Sequence, residues 1–250
     1  MHAYSPDHLL WLGAIAALSV VLSILCRREW IPKSALRIAL ILLLVGGELQ
    51  RYFHDDVGFP DRLPLHLCNV TTWVAVLALL TLWPLASEFT YFSGLAGAGM
   101  AVLTPDMGAH WPARFFVNHG GLIVTAVVLA AGRLMPIRRG APFRAYGIFA
   151  VYIGLIGIFN WRFGTNYAFL AHKPSFSSLI DLLGPWPIYI GTLGAIGAGL
   201  FWLLWLPLRP KQGMTEPAQS GGSFVAQDFH GPLVQQSIEG HPPGRDRQRG

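Results

Sequence analysis

The apolar residues of this chain form long uninterrupted blocks, unlike the spaced stripes of a soluble helical protein. The hydrocarbon core of a bilayer is roughly 30 Å thick and takes about 20 helical residues to cross. Measured against that length, the pattern predicts seven spans, at residues 8–26, 35–53, 64–83, 90–104, 115–135, 144–160 and 187–207. The fourth is short and rich in glycine. The predicted fold class is an all-α, polytopic transmembrane helix bundle.

The basic residues are unevenly distributed between the predicted loops. Lys and Arg in short loops are retained on the cytoplasmic side of a membrane. The loops after spans one, five and seven carry ten of them: Arg27, Arg28, Lys33, Arg37, Arg133, Arg138, Arg139, Arg144, Arg209 and Lys211. The loops after spans two, four and six carry five: Arg51, Arg62, Arg114, Arg162 and Lys173. This bias predicts an N-terminus outside the cell and a C-terminus in the cytoplasm.

The composition agrees with this topology and divides the chain into two parts. The sequence is 53% hydrophobic and 12% charged, which is typical of a multi-pass membrane protein. From about residue 208 it becomes rich in Gly, Pro, Gln and Ser, which predicts a transmembrane domain at 1–207 and a disordered cytoplasmic tail at 208–250. The net charge of +5 favours anionic lipid headgroups. No motif for reading nucleic acid is present.

Reactive and ionisable side chains collect at the predicted outer ends of the spans. An ionisable residue inside a membrane is costly and usually faces the bundle interior or a water-filled cavity. The candidates are Glu48, His66, Cys68, Asn118, His119, Asn166, Tyr167, Lys173 and Asp181, with Thr104-Pro105-Asp106 at the end of span four. The predicted cytoplasmic ends carry mainly Arg, Pro and apolar residues. The asymmetry predicts a site at the outer face.

Several of these candidates also have simpler interpretations. Glu48 can pair with Arg51 or Arg62 at the membrane interface. Asn118 can cap a helix. His119 can be an ordinary core histidine whose ring nitrogens are satisfied by hydrogen bonds.

Cys68 is the candidate nucleophile. It lies within the first turn after Pro64, where the amide dipoles of a helix start favour a thiolate, and it still needs a base. His66 is two positions away and reaches Cys68 only if that turn is irregular. His119, from another span at the same predicted depth, is therefore the preferred base.

The remaining polar candidates have supporting roles in this hypothesis. Glu48, Asn118 or Asn166 can orient the imidazole of His119 as the third member of a triad. Lys173 can bind a lipid phosphate or a developing oxyanion.

Several motifs follow one another in order along the predicted outer half of the bundle. They are Leu63-Pro64-Leu65-His66-Leu67-Cys68, Asn118-His119, Gly164-Thr165-Asn166-Tyr167-Ala168-Phe169-Leu170, Lys173-Pro174, and Asp181 followed by Leu183-Gly184-Pro185-Trp186-Pro187 and Tyr189. In this order they resemble the YwaF-like family of bacterial integral membrane proteins, over roughly residues 5–207. The resemblance implies a multi-pass protein of the cell membrane, the bacterial inner membrane.

The same motifs are more distantly similar to an animal polytopic membrane protein that transfers fatty acyl chains between phospholipids through a cysteine thioester. That protein is part of a wider group of membrane lipid hydrolases with a Thr or Cys nucleophile and a histidine. The resemblance implies that Cys68 is the nucleophile and His119 its histidine. The predicted function is a phospholipid acyltransferase or lipid hydrolase at the outer membrane interface, with membrane lipids as substrate.

Two other kinds of function remain open from the sequence. A transporter or binding protein is the first, because seven spans can divide as three, one and three, with proline-led starts at Leu63-Pro64-Leu65-His66 and Gly184-Pro185-Trp186-Pro187. The residues available for a metal site are His66, Cys68, His119 and His172. They lack close ligand spacing, so we expect neither a metal nor another cofactor.

Overall fold

The computed structural model describes residues 4–54, 57–104, 112–175 and 178–209. The candidates Pro105 and Asp106 and the predicted tail from residue 210 lie outside these ranges. Within them every regular element is helical, as the sequence predicts. The α-helices are α1 (Pro6–Arg27), α2 (Lys33–His54), α3 (Leu67–Thr81), α4 (Pro84–Ser93), α5 (Gly99–Leu103), α6 (Pro112–Ala131), α7 (Ala141–Phe163) and α8 (Ile188–Trp205). Short helical turns lie at Gly94–Ala98, Tyr167–Phe169, Leu179–Leu183 and Leu206–Leu208.

Four helices in the described ranges are long and apolar enough to cross a membrane. They are Pro6–Arg27, Ala113–Ala131, Ala141–Phe163 and Ile188–Leu208. They coincide with predicted spans one, five, six and seven, so the prediction of a helical membrane protein is confirmed. Helix α2 is as long, with 22 residues, but it carries Lys33, Arg37, Glu48 and Arg51. Helix α3 is shorter, with 15 residues.

The helix at the fourth predicted span begins earlier than the pattern of apolar residues indicates. A helical run extends from Pro84 through α4, a π-helical turn at Gly94–Ala98, and α5. The predicted span starts only at residue 90 because Ser87 and Glu88 lower the local hydropathy, whereas the structure continues the helix through both residues and buries them completely. Helix α4 contacts α3, α6, α7 and α8. Its polar residues therefore face protein and not lipid.

Glu88 of α4 is paired with two arginines, Arg138 from the loop before α7 and Arg144 from its first turns. Arg138 donates from Nε to Glu88 Oε1 at 2.8 Å and from Nη2 to Oε2 at 3.1 Å. Arg144 donates from Nε to Oε2 at 2.9 Å and from Nη2 to Oε1 at 2.8 Å. The Glu88 side chain is only 1% exposed, and its hydrogen bonds raise the pKa of Arg138 above its ordinary value. This cluster joins α4 to α7.

Two further side chains bond to the backbone of a neighbouring helix. Arg37 of α2 donates from Nε and Nη2 to the carbonyls of Leu79 and Leu80, at 2.5 and 2.8 Å. These carbonyls belong to the last turn of α3, where no intrahelical donor is available. His8 is fully buried in α1, and its Nε2 donates to the carbonyl of Val102, 2.7 Å away in α5. The two contacts join α2 to α3 and α1 to α5.

Candidate functional site

A cavity of about 1240 Å³ lies between α2 and α8. Seven of its polar lining residues form a group that we call the polar cluster: Glu48, Arg51, His66, Cys68, Asn69, Asn118 and His119. The members come from the end of α2, the start of α3 and the start of α6. The rest of the lining is mainly apolar, and its other polar residues are Thr72, Ser93, Thr104, Arg114, Tyr146, Ser178 and Tyr189. Sequence reasoning had selected five of the seven cluster residues, all except Arg51 and Asn69.

Cys68 occupies the second position of α3. The helix begins at Leu67, and its first backbone hydrogen bond runs from the N–H of Val70 to the carbonyl of His66, at 3.0 Å. The N–H groups of Leu67, Cys68 and Asn69 therefore precede the intrahelical ladder. The thiol is free and half-buried. Its amide and that of Asn69 are therefore not used by the hydrogen bonds within α3.

Gly97 of the π-helical turn provides the space beside this thiol. A Cβ atom at Gly97 would lie 4.0 Å from the Cys68 sulfur and 3.3 Å from Cδ2 of Leu67. Single π-helical turns inside α-helices often occur at functional sites. The missing side chain lets the backbone of the fourth helical run approach the start of α3.

His119 lies in α6 and has a defined ring orientation. Its Nδ1 is 2.9 Å from the carbonyl oxygen of Phe115, and because a carbonyl only accepts, Nδ1 is the donor. In the neutral ring Nε2 is then an acceptor, and among the described residues no hydrogen bond occupies it. The Phe115 ring packs on the imidazole with a centroid separation of 4.3 Å. In a triad, the third residue accepts a hydrogen bond from Nδ1 of the histidine. Here Nδ1 of His119 bonds to the backbone carbonyl of Phe115, and not to Glu48, Asn118 or Asn166.

Glu48 connects α2 to the start of α3, the helix that carries Cys68. Its Oε1 accepts a hydrogen bond of 2.8 Å from Nδ2 of Asn69, the residue after Cys68. Its Oε2 lies 3.4 Å from Nε of Arg51, so the predicted alternative of a local ion pair is present with Arg51. Arg62 instead donates to the carbonyl of Tyr52 at 3.0 Å. Glu48 is 8% exposed and close enough to interact electrostatically with both Cys68 and His119.

Asn118 lies within α6 and does not cap it. The helix begins at Pro112, so the capping interpretation was wrong. Its Oδ1 is buried without a hydrogen-bond partner in the part of the chain that the structure describes. A Cβ atom at Gly47 would come within 2.2 Å of this oxygen. The absence of a side chain at Gly47 is therefore what lets Asn118 reach the cavity next to His119.

His66 caps the start of α3 by position, without a side-chain capping bond. Its ring packs edge-on against Tyr167 at 5.1 Å between centroids and tilts toward Phe169 at 5.8 Å. Tyr167 is buried and donates from its hydroxyl to the carbonyl of Pro60 at 2.8 Å. Burial raises the pKa of the Tyr167 phenol, so the hydroxyl keeps the proton that it donates. The hydrogen-bonded Tyr167 therefore fixes one side of the His66 ring.

The other loop candidates hold the connection between α7 and α8. Asn166 accepts from the N–H groups of Ala171 and His172 at 3.0 and 3.1 Å. Lys173 donates to the backbone carbonyl of Asp181 at 3.3 Å, and the Asp181 carboxylate accepts from the N–H of Ser178 at 2.9 Å. Among the described residues, Asn166, Tyr167, Lys173 and Asp181 are not part of the cavity lining. The structure therefore separates Asn166, Lys173 and Asp181 from the polar cluster, whereas Tyr167 contacts it through the ring of His66.

Asn160, at the predicted outer end of span six, has a structural role that its position in the sequence did not specify. It is buried at the end of α7, donates to the carbonyl of Tyr167 at 2.9 Å, and accepts from the hydroxyl of Thr165 at 2.7 Å and the N–H of Tyr167 at 2.9 Å. The loop that carries Ala168, Phe169 and Leu170 into the cavity wall is anchored by these bonds. The one signal for it in the sequence was an amide at the end of an apolar span.

Across the described ranges, no group of three or more His, Cys, Asp and Glu residues is arranged to hold a metal ion. His172 bonds with Asn166 in an exposed loop, away from the polar cluster.

The model of the TMEM164 family matches residues 3–205, a range that includes every residue of the cavity wall. No curated protein and no solved structure matches the chain significantly.

Proposed function

This chain belongs to the TMEM164 family of membrane proteins, and we propose that it is a phospholipid acyltransferase or lipid hydrolase that acts through a thioester on Cys68. The observation that carries the proposal is that Cys68 and His119, from different helices, line one cavity with an oriented imidazole. A cysteine nucleophile requires a base that can take its proton, and an imidazole with an accepting nitrogen on the wall of the same cavity can supply one. The resemblance in the ordered motifs supports the same assignment.

The proposed reaction begins with proton transfer. His119 Nε2 takes the thiol proton of Cys68 while the sulfur attacks the ester carbonyl carbon of a membrane lipid. The bond from that carbon to the glycerol oxygen breaks, and His119 returns the proton to the oxygen, which leaves a lysolipid and a thioester on Cys68. The hydroxyl of another lysolipid, or water, then gives a proton to His119 and attacks the thioester. The sulfur leaves and takes the proton back.

The start of α3 supplies the donors for the oxyanion in both steps. The N–H groups of Cys68 and Asn69 precede the first intrahelical bond and point out of the helix start. Donors fixed in advance at the position where charge develops stabilise a tetrahedral intermediate, and losing one of them costs about 10²–10³ in rate. Asn69 is itself held by its 2.8 Å bond to Glu48. Glu48 and Asn69 are positioning residues in this proposal.

A transporter is the weaker alternative because the cavity lacks the symmetry that it needs. A three-one-three duplication would give α1 and α6 equivalent positions. Helix α6 contributes Arg114, Phe115, Asn118 and His119 to the wall, whereas no described residue of α1 lines the cavity.

We also propose that all seven predicted spans cross the cell membrane, with the N-terminus outside and the polar cluster near the outer interface. This topology is testable in a background in which Cys26 and Cys68 are replaced by alanine. An Asp61→Cys variant should react with a membrane-impermeant maleimide in intact cells, because residue 61 is exposed and lies in an outer loop of the proposal. An Arg139→Cys variant should react only after lysis. The reverse labelling pattern would show that the orientation is opposite to the one proposed.

His119→Gln should slow thioester formation by about 10²–10⁴-fold, the usual contribution of a general base. The assay uses purified protein in lipid nanodiscs that contain a diacyl phospholipid with one deuterated chain. Intact-protein mass after acid quenching reports the acyl adduct, and hydroxylamine treatment identifies it as a thioester. His172→Gln is the matched control, because His172 lies outside the cavity lining. An adduct that forms at the wild-type rate in His119→Gln would remove His119 from the mechanism.

A further inference from the structure

The cavity extends well beyond the polar cluster along the facing sides of α7 and α8. The side chains that line this extension are mainly apolar: Phe149, Ala150 and Ile153 from α7, and Leu193, Ile196 and Leu200 from α8, with Tyr146 beside Gly194. We call this part of the cavity the apolar arm. It shares one continuous volume with Cys68 and His119. A ligand that fills both parts therefore needs a polar group at one end and an apolar chain over the rest of its length.

We propose that the apolar arm binds the acyl chain that is transferred, with its far end at Gly197 and Leu200. This assignment of the occupant rests on the proposed function. An ester at the polar cluster leaves its hydrocarbon chain in continuity with the arm, and apolar walls favour such a chain over water. The length of the arm then sets which acyl chains are accepted.

Glycines on α8 give the arm its width. Gly197 lines the cavity, and a Cβ atom built there meets nothing within 4 Å. At Gly194 the gap is narrower, because the hydroxyl of Tyr146 donates to the Gly194 carbonyl at 3.0 Å and would lie 3.4 Å from a Cβ atom. Gly197 lies nine residues into α8, roughly 13 Å along its axis from Ile188. A bulky side chain at Gly197 would therefore fill the arm at a distance from the polar cluster.

Gly199 provides a matched control on the same helix. A Cβ atom there also meets nothing within 4 Å, yet Gly199 is exposed and is not part of the cavity wall. Gly197→Phe and Gly199→Phe add the same side chain and lose the same backbone freedom. They differ in whether the ring enters the arm.

The test uses a phospholipid whose acyl chain ends in a photoactivatable diazirine, incorporated into nanodiscs with the full-length protein. On illumination, wild-type protein and Gly199→Phe should crosslink through α7 and α8 peptides, identified by mass spectrometry. Gly197→Phe should reduce these crosslinks about tenfold for a hexadecanoyl chain and leave an octanoyl chain nearly unaffected. Equal crosslinking of the hexadecanoyl chain in Gly197→Phe and Gly199→Phe, or crosslinks confined to other helices, would overturn the acyl-chain assignment.

Thioester formation, measured in the same samples, separates this inference from the proposed function. Crosslinks in the apolar arm without any thioester would support a binding site for a lipid chain and contradict the proposed enzyme activity. If thioester formation depends on acyl-chain length in the same way in Gly197→Phe and Gly199→Phe, the proposed enzyme activity stands. The proposal that the apolar arm binds the acyl chain is then wrong.

Discussion

Cys68→Ala is expected to abolish acyl transfer, with a loss of about 10⁴-fold or more, because removing a nucleophile leaves only binding and oxyanion stabilisation. The substitution should leave the fold intact. Cys68 is only half-buried, and its hydrogen bond within the helix, from the Thr72 hydroxyl at 2.9 Å, goes to its backbone carbonyl. The measurement compares the membrane lipids of cells that lack the protein with those of cells rescued by wild type or by Cys68→Ala.

Cys26→Ala is the matched control for this experiment. Cys26 is the other cysteine of the chain, fully buried near the end of α1 and absent from the cavity wall. We expect rescue by Cys26→Ala and none by Cys68→Ala at equal protein levels. Restoration of the wild-type lipid profile by Cys68→Ala would rule out a thioester mechanism.

The second large effect is expected at Glu88. Replacing Arg138 and Arg144 together by methionine leaves a carboxylate of 1% exposure without the four side-chain hydrogen bonds that these arginines donate. Breaking a buried ion pair by removing its partners costs about 3–5 kcal/mol. A single substitution should cost less, because the remaining arginine still makes two of these bonds. The measurement is the unfolding midpoint in detergent, together with the protein level in membranes.

Two further variants show whether charge is the cause. Arg139→Met is the control, because Arg139 lies on the same loop with an exposed side chain. Adding Glu88→Leu to the double substitution should restore much of the lost stability, since replacing a whole buried ionic cluster by apolar side chains is often neutral. If the triple variant is less stable than the double variant, the loss comes from packing and not from an unpaired carboxylate.

The membrane helices could be predicted from the sequence because hydropathy reports directly on contact with lipid. Helices α1, α6, α7 and α8 have apolar side chains over most of their surface, and their predicted positions hold. The central run from Pro84 was misjudged for the opposite reason. Its surroundings are protein, so it can carry Glu88 and several hydroxyl groups that would be unfavourable in lipid.

The site could be predicted only in part. Unusual polar residues at predicted span ends pointed to Glu48, His66, Cys68, Asn118 and His119, and all five line one cavity. Their catalytic roles remain predictions. The same criterion also selected Asn166, Tyr167, Lys173 and Asp181, because a side chain that supports a loop has the same residue types as one that binds a ligand. Asn69 carried no such signal and was identified only by its contact with Glu48.

By itself the sequence determined that this is a helical membrane protein, because long apolar blocks are stable only where lipid or protein covers them. It also determined which reactive residue types are present. The tertiary structure alone decided that the His119 ring is oriented by the carbonyl of Phe115, that Glu88 pairs with two arginines distant in the chain, and that the space beside Cys68 continues between α7 and α8. Such pairings depend on how the helices rotate and pack against one another, and hydropathy along the chain predicts neither the rotation nor the packing.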